Sequence, residues 1–232
     1  MPRTSQPERL VDVAEAATRV FGRLGYRRTR MADVAARAGL SSGAVYTYVD
    51  SKEALFHLVF AHAFGQFAEG MPPLPLATPP LANTLALIAR GLRDRASTPR
   101  LRAALDVDDP DDIRGELTAI VEERYALVEA LWPVLAVIER CAVDLPELED
   151  LYFQRGRPGH LALLATYLER RRTGGHLRAV PDTKVAARLV TEAVVWFAWH
   201  RREDRDARLY DDDAARQTVI QFVCDALIEP RR

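Results

Sequence analysis

Ser42, Gly43, Ala44 and Thr47 stand close together in the chain, with Thr29 before them and Lys52 after them. Small or hydroxylated side chains can approach the edge of a base without obstruction, and a hydroxyl or an ammonium can hold a phosphate oxygen. Other chemistries find less support. The five histidines, His57, His62, His160, His176 and His200, show no ligand spacing, and His57 and His62 fall on different helix faces. There is no phosphate-cradling glycine loop, nucleophile elbow or His-Glu metal motif. The acidic run Asp106-Val107-Asp108-Asp109-Pro110-Asp111-Asp112 lacks the glycine and terminal glutamate of a calcium loop and reads as a solvated, helix-capping turn. An enzyme is therefore not expected, nor any cofactor or metal.

The elements that must position these residues follow from apolar spacing. Met31, Val34, Ala35 and Ala38 make a narrow stripe of mostly small side chains on a short helix. Gly39 follows, where a left-handed glycine ends the helix, and Ser41 or Ser42 can cap the next one. That second helix, Ser42 to Val49, buries Val45 and Val49 and turns Ser42, Gly43, Ala44 and Thr47 outward. Asp50 and Glu53 have the spacing of a capping box for a third helix. Lys52 lies in its first turn, against the helix dipole, which points to an outside anion. Upstream, Leu10, Val13, Ala14, Ala17, Val20, Phe21 and Leu24 form a stripe over residues 7 to 24 wide enough to cover both short helices. Gly25 ends it, and Tyr26-Arg27-Arg28-Thr29-Arg30 carries a basic cluster onward, with Thr29 the expected cap and a phosphate donor. Two short helices joined by a tight turn are the layout of a helix-turn-helix, which makes DNA the first partner to consider.

The run from Leu10 to Phe56, with Ala14, Ala17, Phe21, Gly25-Tyr26, Thr29, Val34-Ala35, Ala38-Gly39, Gly43, Val45-Tyr46, Tyr48 and Ser51-Lys52-Glu53-Ala54-Leu55, resembles the DNA-binding domain of the TetR family of transcriptional regulators. The resemblance covers roughly the first quarter of the chain. It implies that Ser42, Gly43, Ala44 and Thr47 face bases in the major groove, while Tyr46, Tyr48 and Lys52 hold phosphates with Thr29. Val49 departs from the phenylalanine usual there, and Ala44 offers only a methyl group. Contact with thymine methyls and DNA shape are then expected to carry more of the specificity than hydrogen-bonded readout.

The chain has a net charge of −1, which excludes a broad basic coat for nucleic acid. Residues 1 to 54 hold nine Lys/Arg against six Asp/Glu, or +3, and the rest holds 23 against 27, or −4. Affinity should come from a few placed phosphate contacts, doubled by dimerisation. With 232 residues and 48% hydrophobic composition, the chain supports a small helical domain, 1–54, and a larger one, 55–232. No signal peptide or apolar run of membrane length stands out, and Cys141 and Cys224 read as buried free thiols, so a cytoplasmic protein is expected.

The fold class is all-α: a three-helix helix-turn-helix domain followed by a larger helical bundle for effector binding and dimerisation. The helix from Ser51 onward is apolar on more than one face, as at a junction between domains. Residues 70 to 80, rich in proline, read as a stiff connector. Helical stretches follow near 81–97, 111–142 with a kink or break at Pro133, 146–154, 158–173, 182–202 and 212–228. The last two carry more apolar girth than one core-facing side requires, which suggests a subunit interface through Leu189, Ala193, Trp196, Phe197, His200, Val219, Phe222 and Val223. The resemblance implies the same pairing, and also a small effector. Phe60, Phe64, Phe67, Tyr125, Trp132, Tyr152 and Phe153 are the candidate lining for an apolar or aromatic compound. These expectations combine into a ligand-responsive repressor that binds a palindromic, double-stranded operator as a homodimer; the alternative is a helical small-molecule-binding protein or enzyme without regulatory DNA binding.

Overall fold

The structure, a computed structural model, describes residues 6–95, 98–206 and 209–229, with the backbone alone at 68 and 69. Ten α-helices run through these residues: α1 Gln6–Leu24, α2 Met31–Arg37, α3 Lys52–Ala63, α4 Leu81–Arg95, α5 Pro99–Leu105, α6 Ile113–Ala142, α7 Pro146–Glu149, α8 Arg157–Thr173, α9 Thr183–Ala198 and α10 Asp212–Leu227. No strand occurs among the described residues, and one isolated parallel bridge joins Val49 to Leu76. The all-α expectation holds.

Several boundaries differ for local reasons. The second helix of the helix-turn-helix, the recognition element if the motif binds DNA, is a 3-10 helix, Ala44–Thr47, rather than an α-helix from Ser42 to Val49. Tight i to i+3 bonds such as Tyr46 N–H to Gly43 O at 3.2 Å and Tyr48 N–H to Val45 O at 3.0 Å close it within one turn. α6 continues through Pro133 without a break, at the loss of the one backbone bond that a proline cannot donate. The stretch near 146–154 is a short α-helix followed by a π-helix, Asp150–Gly156, leading into α8. α5, begun by Pro99 at its first position, is an added helix. The expected end of the fourth helix, at 96 and 97, lies outside the described residues.

The chain divides into two compact units, Met1–Arg95 with Pro133–Gln154 and Ala96–Trp132 with Arg155–Arg232. Residues 55 to 95 thus pack with the helix-turn-helix. In the first unit the expected stripe on α1 is buried at Leu10, Val13, Ala14, Ala17, Val20 and Phe21, against Val34, Ala35, Val45 and Val49. Phe21, Tyr26, Phe56, Phe60 and Phe64 continue this core as successive ring contacts at 5.0 to 6.2 Å. In the second unit the core draws Leu117, Val121, Tyr125 and Val128 from α6, Leu164 and Leu168 from α8, Val194 and Val195 from α9, and Val219, Val223 and Leu227 from α10.

Candidate nucleic-acid interface

Two glycines shape the motif. Gly25 (φ 83°) and Gly39 (φ 68°) both adopt the left-handed conformation and end α1 and α2. At Gly25 an added Cβ would also meet Arg140 O at 3.3 Å, so the turn is tight against its surroundings. Past Gly39, Ser41 Oγ accepts the Ala44 N–H at 3.3 Å and begins the recognition element. Val45 and Val49 are fully buried, while Ser42, Gly43 and Thr47 are exposed and Tyr46 keeps 50% of its surface in solvent. Ala44 and Tyr48 are half-buried. The Thr47 hydroxyl donates to Ala44 O at 2.7 Å, leaving its methyl and lone pairs outward.

The flanking residues form a second cluster. Ser51, one residue after the expected Asp50, caps α3 by accepting the Ala54 N–H at 3.0 Å. Glu53 is engaged elsewhere: Tyr26 donates its phenol to Glu53 Oε1 at 3.0 Å. The Glu53 backbone N–H and then this phenol hold its carboxyl below the usual value against the cost of desolvation, while burial pushes the Tyr26 phenol up. Lys52 Nζ lies 3.3 Å from Thr29 O, 3.5 Å from Arg27 O and 4.7 Å from the centroid of the Tyr26 ring. A positive charge is thereby fixed at the start of α3, beside the 25–30 turn. Thr29 is not the cap of α2; Arg30 stands there, its N–H donating to Asp33 Oδ2 at 3.0 Å. Thr29 is 1% exposed, and its hydroxyl donates to Gly25 O at 2.7 Å. It braces the turn from inside. Arg27, by contrast, is exposed, with its backbone N–H held by Asp144 Oδ2 at 2.8 Å.

The aromatic residues expected to line an effector site are divided between the two units. Phe60, Phe64, Phe67, Tyr152 and Phe153 belong to the first unit, Tyr125 and Trp132 to the second. Phe60 and Tyr125 are fully buried core residues, because a large ring on a multiply packed helix is used for filling. Phe64 packs on Gly91, Tyr152 and Phe153 meet edge to face at 5.0 Å, and Phe67 borders an open groove with His57, Ala61 and Met71. Trp132 is half-buried. Within the second unit a different set, Leu101, Ile120, Val121, Leu164 and Val194 with Arg124, His160 and Thr191, surrounds an apolar cavity of about 10 Å3. His160 Nε2 is buried there without a hydrogen-bond partner among the described residues. Burial, and then the Arg124 charge, push its pKa down to about 3, so the imidazole is neutral. Neither residue shows any periodic signal in sequence.

On the last two helices, Leu189 (66%), Trp196 (37%) and Phe222 (71%) expose large apolar surface, while Ala193, Phe197 and His200 are half-buried. Val219 and Val223 are corrected: both are buried within the protomer, on the face of α10 that fills the core. Val185 (57%), missed before, joins the exposed face; extending the Leu189–Trp196 stripe back by one helical turn finds it. No helix among the described residues is long and apolar enough to cross a membrane, and none of their His, Cys, Asp or Glu side chains group into a metal site.

Comparison with known proteins agrees with this geometry. The profile of bacterial regulatory proteins of the tetR family matches residues 13–59. The Fatty acid metabolism regulator protein of Bacillus subtilis (strain 168) is 31% identical over 61 residues, 26% of this chain and 31% of that protein. The uncharacterized HTH-type transcriptional regulator YfiR of the same organism is 32% identical over 97 residues, 39% of this chain and 46% of that protein. The chain thus spans less than half the length of these relatives. Among solved structures, AibR in complex with isovaleryl coenzyme A and operator DNA shares the fold: 18% identity, 93% of this chain and 97% of that one covered, TM-score 0.51. The helix-turn-helix, with its buried valines and its two left-handed glycines, lies within the matched residues, so residues 13–59 form a DNA-binding domain of the kind found in bacterial regulatory proteins of the tetR family.

Proposed function

We propose that this protein is a cytoplasmic, ligand-responsive transcriptional repressor that binds a palindromic DNA operator as a homodimer. The observation that carries the reading is the recognition element itself. Val45 and Val49 lock it into a core while Ser42, Gly43, Tyr46 and Thr47 remain exposed beside the fixed charge of Lys52. Ser42, Gly43, Ala44 and Thr47 are assigned to bases, and Tyr46, Tyr48 and Lys52 to phosphates. Thr29 acts by shaping the turn that presents Lys52. Support for a dimer comes from Val185, Leu189, Trp196 and Phe222, whose exposed apolar surface a second copy would cover.

The effector site is assigned to the cavity around His160 and Arg124. At about 10 Å3 it has room for roughly one water. A ligand must therefore select a conformation in which α5 and α6 stand further from α8 and α9, a population shift that lowers operator affinity by the differential binding energy. Its walls suit a small, mostly apolar compound, and the regulator of fatty acid metabolism among its relatives makes an acyl compound the first to try.

The test is selection of bound DNA from a random pool, followed by footprinting with the wild type and with Phe222→Glu. Two protected half-sites about one helical turn apart, weakened at least tenfold by the charge, are expected. A single asymmetric site bound equally by both proteins would overturn the dimeric reading.

A further inference from the structure

The proline-rich segment after α3 returns to the helix-turn-helix instead of leaving it. Leu76 donates its backbone N–H to Tyr48 O at 2.8 Å and accepts the Asp50 N–H at 3.1 Å, which makes the bridge to Val49. Two residues on, Thr78 Oγ1 and Ser51 Oγ lie 2.6 Å apart, at the serine that caps α3. The side chains of Leu74 and Leu76 pack on the core of the first unit. Pro72, Pro73, Pro75, Pro79 and Pro80 restrict this segment, so it loses little entropy when held.

The recognition element needs such a hold. A single four-residue 3-10 turn cannot keep its own orientation, and its last carbonyls have no partner within the turn. Leu76 holds the carbonyl at the turn's C-terminal boundary, that of Tyr48. The other end of the segment runs directly into α4, which is docked on α3 by the His57 Nδ1 to Thr84 Oγ1 contact at 2.9 Å. α4 comes so close at Gly91 that a Cβ there would overlap the Phe64 ring.

We propose that residues 74–78 are a strap that sets the orientation of the recognition element, with Leu76 and Thr78 as positioning residues, and that a displacement of α4 reaches the element through this strap as well as through α3. The proposal rests on the DNA-binding reading above for its consequence, and on hydrogen bonds alone for its mechanics. A shift of α4 would then alter not only where the recognition element stands but also how firmly its end is held.

Two variants of the full chain test it, read by amide exchange without DNA and by operator titration. Leu76→Pro removes the N–H given to Tyr48, and Thr78→Val removes the hydroxyl paired with Ser51. Exchange at residues 46 to 50 is expected to rise about tenfold in the first and about threefold in the second, with operator affinity falling by similar factors and exchange in α1 unchanged. If Leu76→Pro unfolds the unit, Thr78→Val decides alone. Unchanged exchange at 46 to 50 overturns the strap, and raised exchange with wild-type operator affinity overturns its positioning role. A wild type that binds no DNA overturns the proposed function, while the exchange arm still decides whether the strap holds the turn.

Discussion

The first unit buries only neutral polar groups among its described residues, Thr29 and Thr84, whereas the second buries two guanidinium groups, Arg171 and Arg201. Each threonine is satisfied by one neutral partner, Gly25 O and His57 Nδ1. Neither requires a charge to leave water, so a small apolar core suffices and the basic side chains stay at the surface, where an anion can reach them. In the second unit desolvation must be offset by many bonds at once. Arg171 gives Nε and Nη2 to Glu116 at 2.8 and 2.9 Å, Nη1 to Val107 O at 2.8 Å and Nη2 to Ala104 O at 2.5 Å, while Tyr167 adds its phenol to Glu116 at 3.0 Å. Arg201 likewise binds Phe197 O at 2.6 Å and Asp212. The lesson is one of fixity. Packing and left-handed glycines shape the presenting unit, and charge networks pin the acidic 106–112 loop and tie the end of α9 to the start of α10 in the other.

The strongest way to break this contrast is Arg171→Met. It leaves Glu116 with only the Tyr167 phenol and takes the guanidinium from the carbonyls of Ala104, Val107 and Asp108, and a loss of ~3–5 kcal/mol in denaturant unfolding is expected. Arg171→Lys should not restore it, since an ammonium cannot span both carboxylate oxygens and the carbonyls. A loss below ~1 kcal/mol would show that the network contributes shape without stability. The comparable change in the first unit, Thr29→Val, is expected to cost only ~1 kcal/mol, one hydrogen bond.

A pH series sharpens the same contrast. His160 is neutral when folded, with a pKa near 3, and takes up a proton near 6.5 once unfolded. The unfolded state therefore binds more protons below about pH 6.5, and stability falls as pH drops from there toward about 3, by at most ~1.4 kcal/mol per pH unit. Above pH 6.5 the contribution is constant. His57 and His200, also lowered by burial, act in the same direction, so the slope of His160→Leu subtracted from that of the wild type isolates the cavity. Measurements between pH 5 and 7 keep Asp212 and Glu169, both lowered by their arginine partners, charged throughout. Equal slopes in the two proteins would show that His160 is solvated, and the cavity then lies elsewhere.

What the residues disclosed in advance was the part governed by local rules. The α1 stripe, its end at Gly25, the left-handed turn at Gly39 and the inward Val45 and Val49 follow from spacing and from the steric freedom of glycine. The shortness of the recognition element did not, because Gly43 and the Thr47 hydroxyl favour tight turns by a margin that only the surrounding fold decides. The strap was invisible for a related reason: a proline-rich stretch has no period, and Leu76 finds Tyr48 and Asp50 only across a loop. Aromatics misled at Phe60 and Tyr125, since a ring at helical spacing fills a core more often than it lines a pocket. The cavity around Arg124 and His160 is assembled from four helices, and no single stretch of chain announces it.

The smallest expected effect tests the presenting unit at its surface. Lys52 is half-buried, with its ammonium near two carbonyls and the Tyr26 ring, so Lys52→Ala should change stability little, by under ~1 kcal/mol. Its consequence should appear instead in operator titrations at several salt concentrations. Losing one phosphate contact weakens binding about equally for all sequences and lowers the slope of log affinity against log salt by ~0.9 per protomer. Thr47→Ala should behave oppositely, shifting base preference at one position of each half-site and leaving the salt slope intact. If Lys52→Ala alters base preference while the slope stays constant, the ammonium is bracing the Tyr26 turn for the recognition element. The charge that the first unit keeps at its surface would then be structural, and the division of labour between the two units would lose its clearest support.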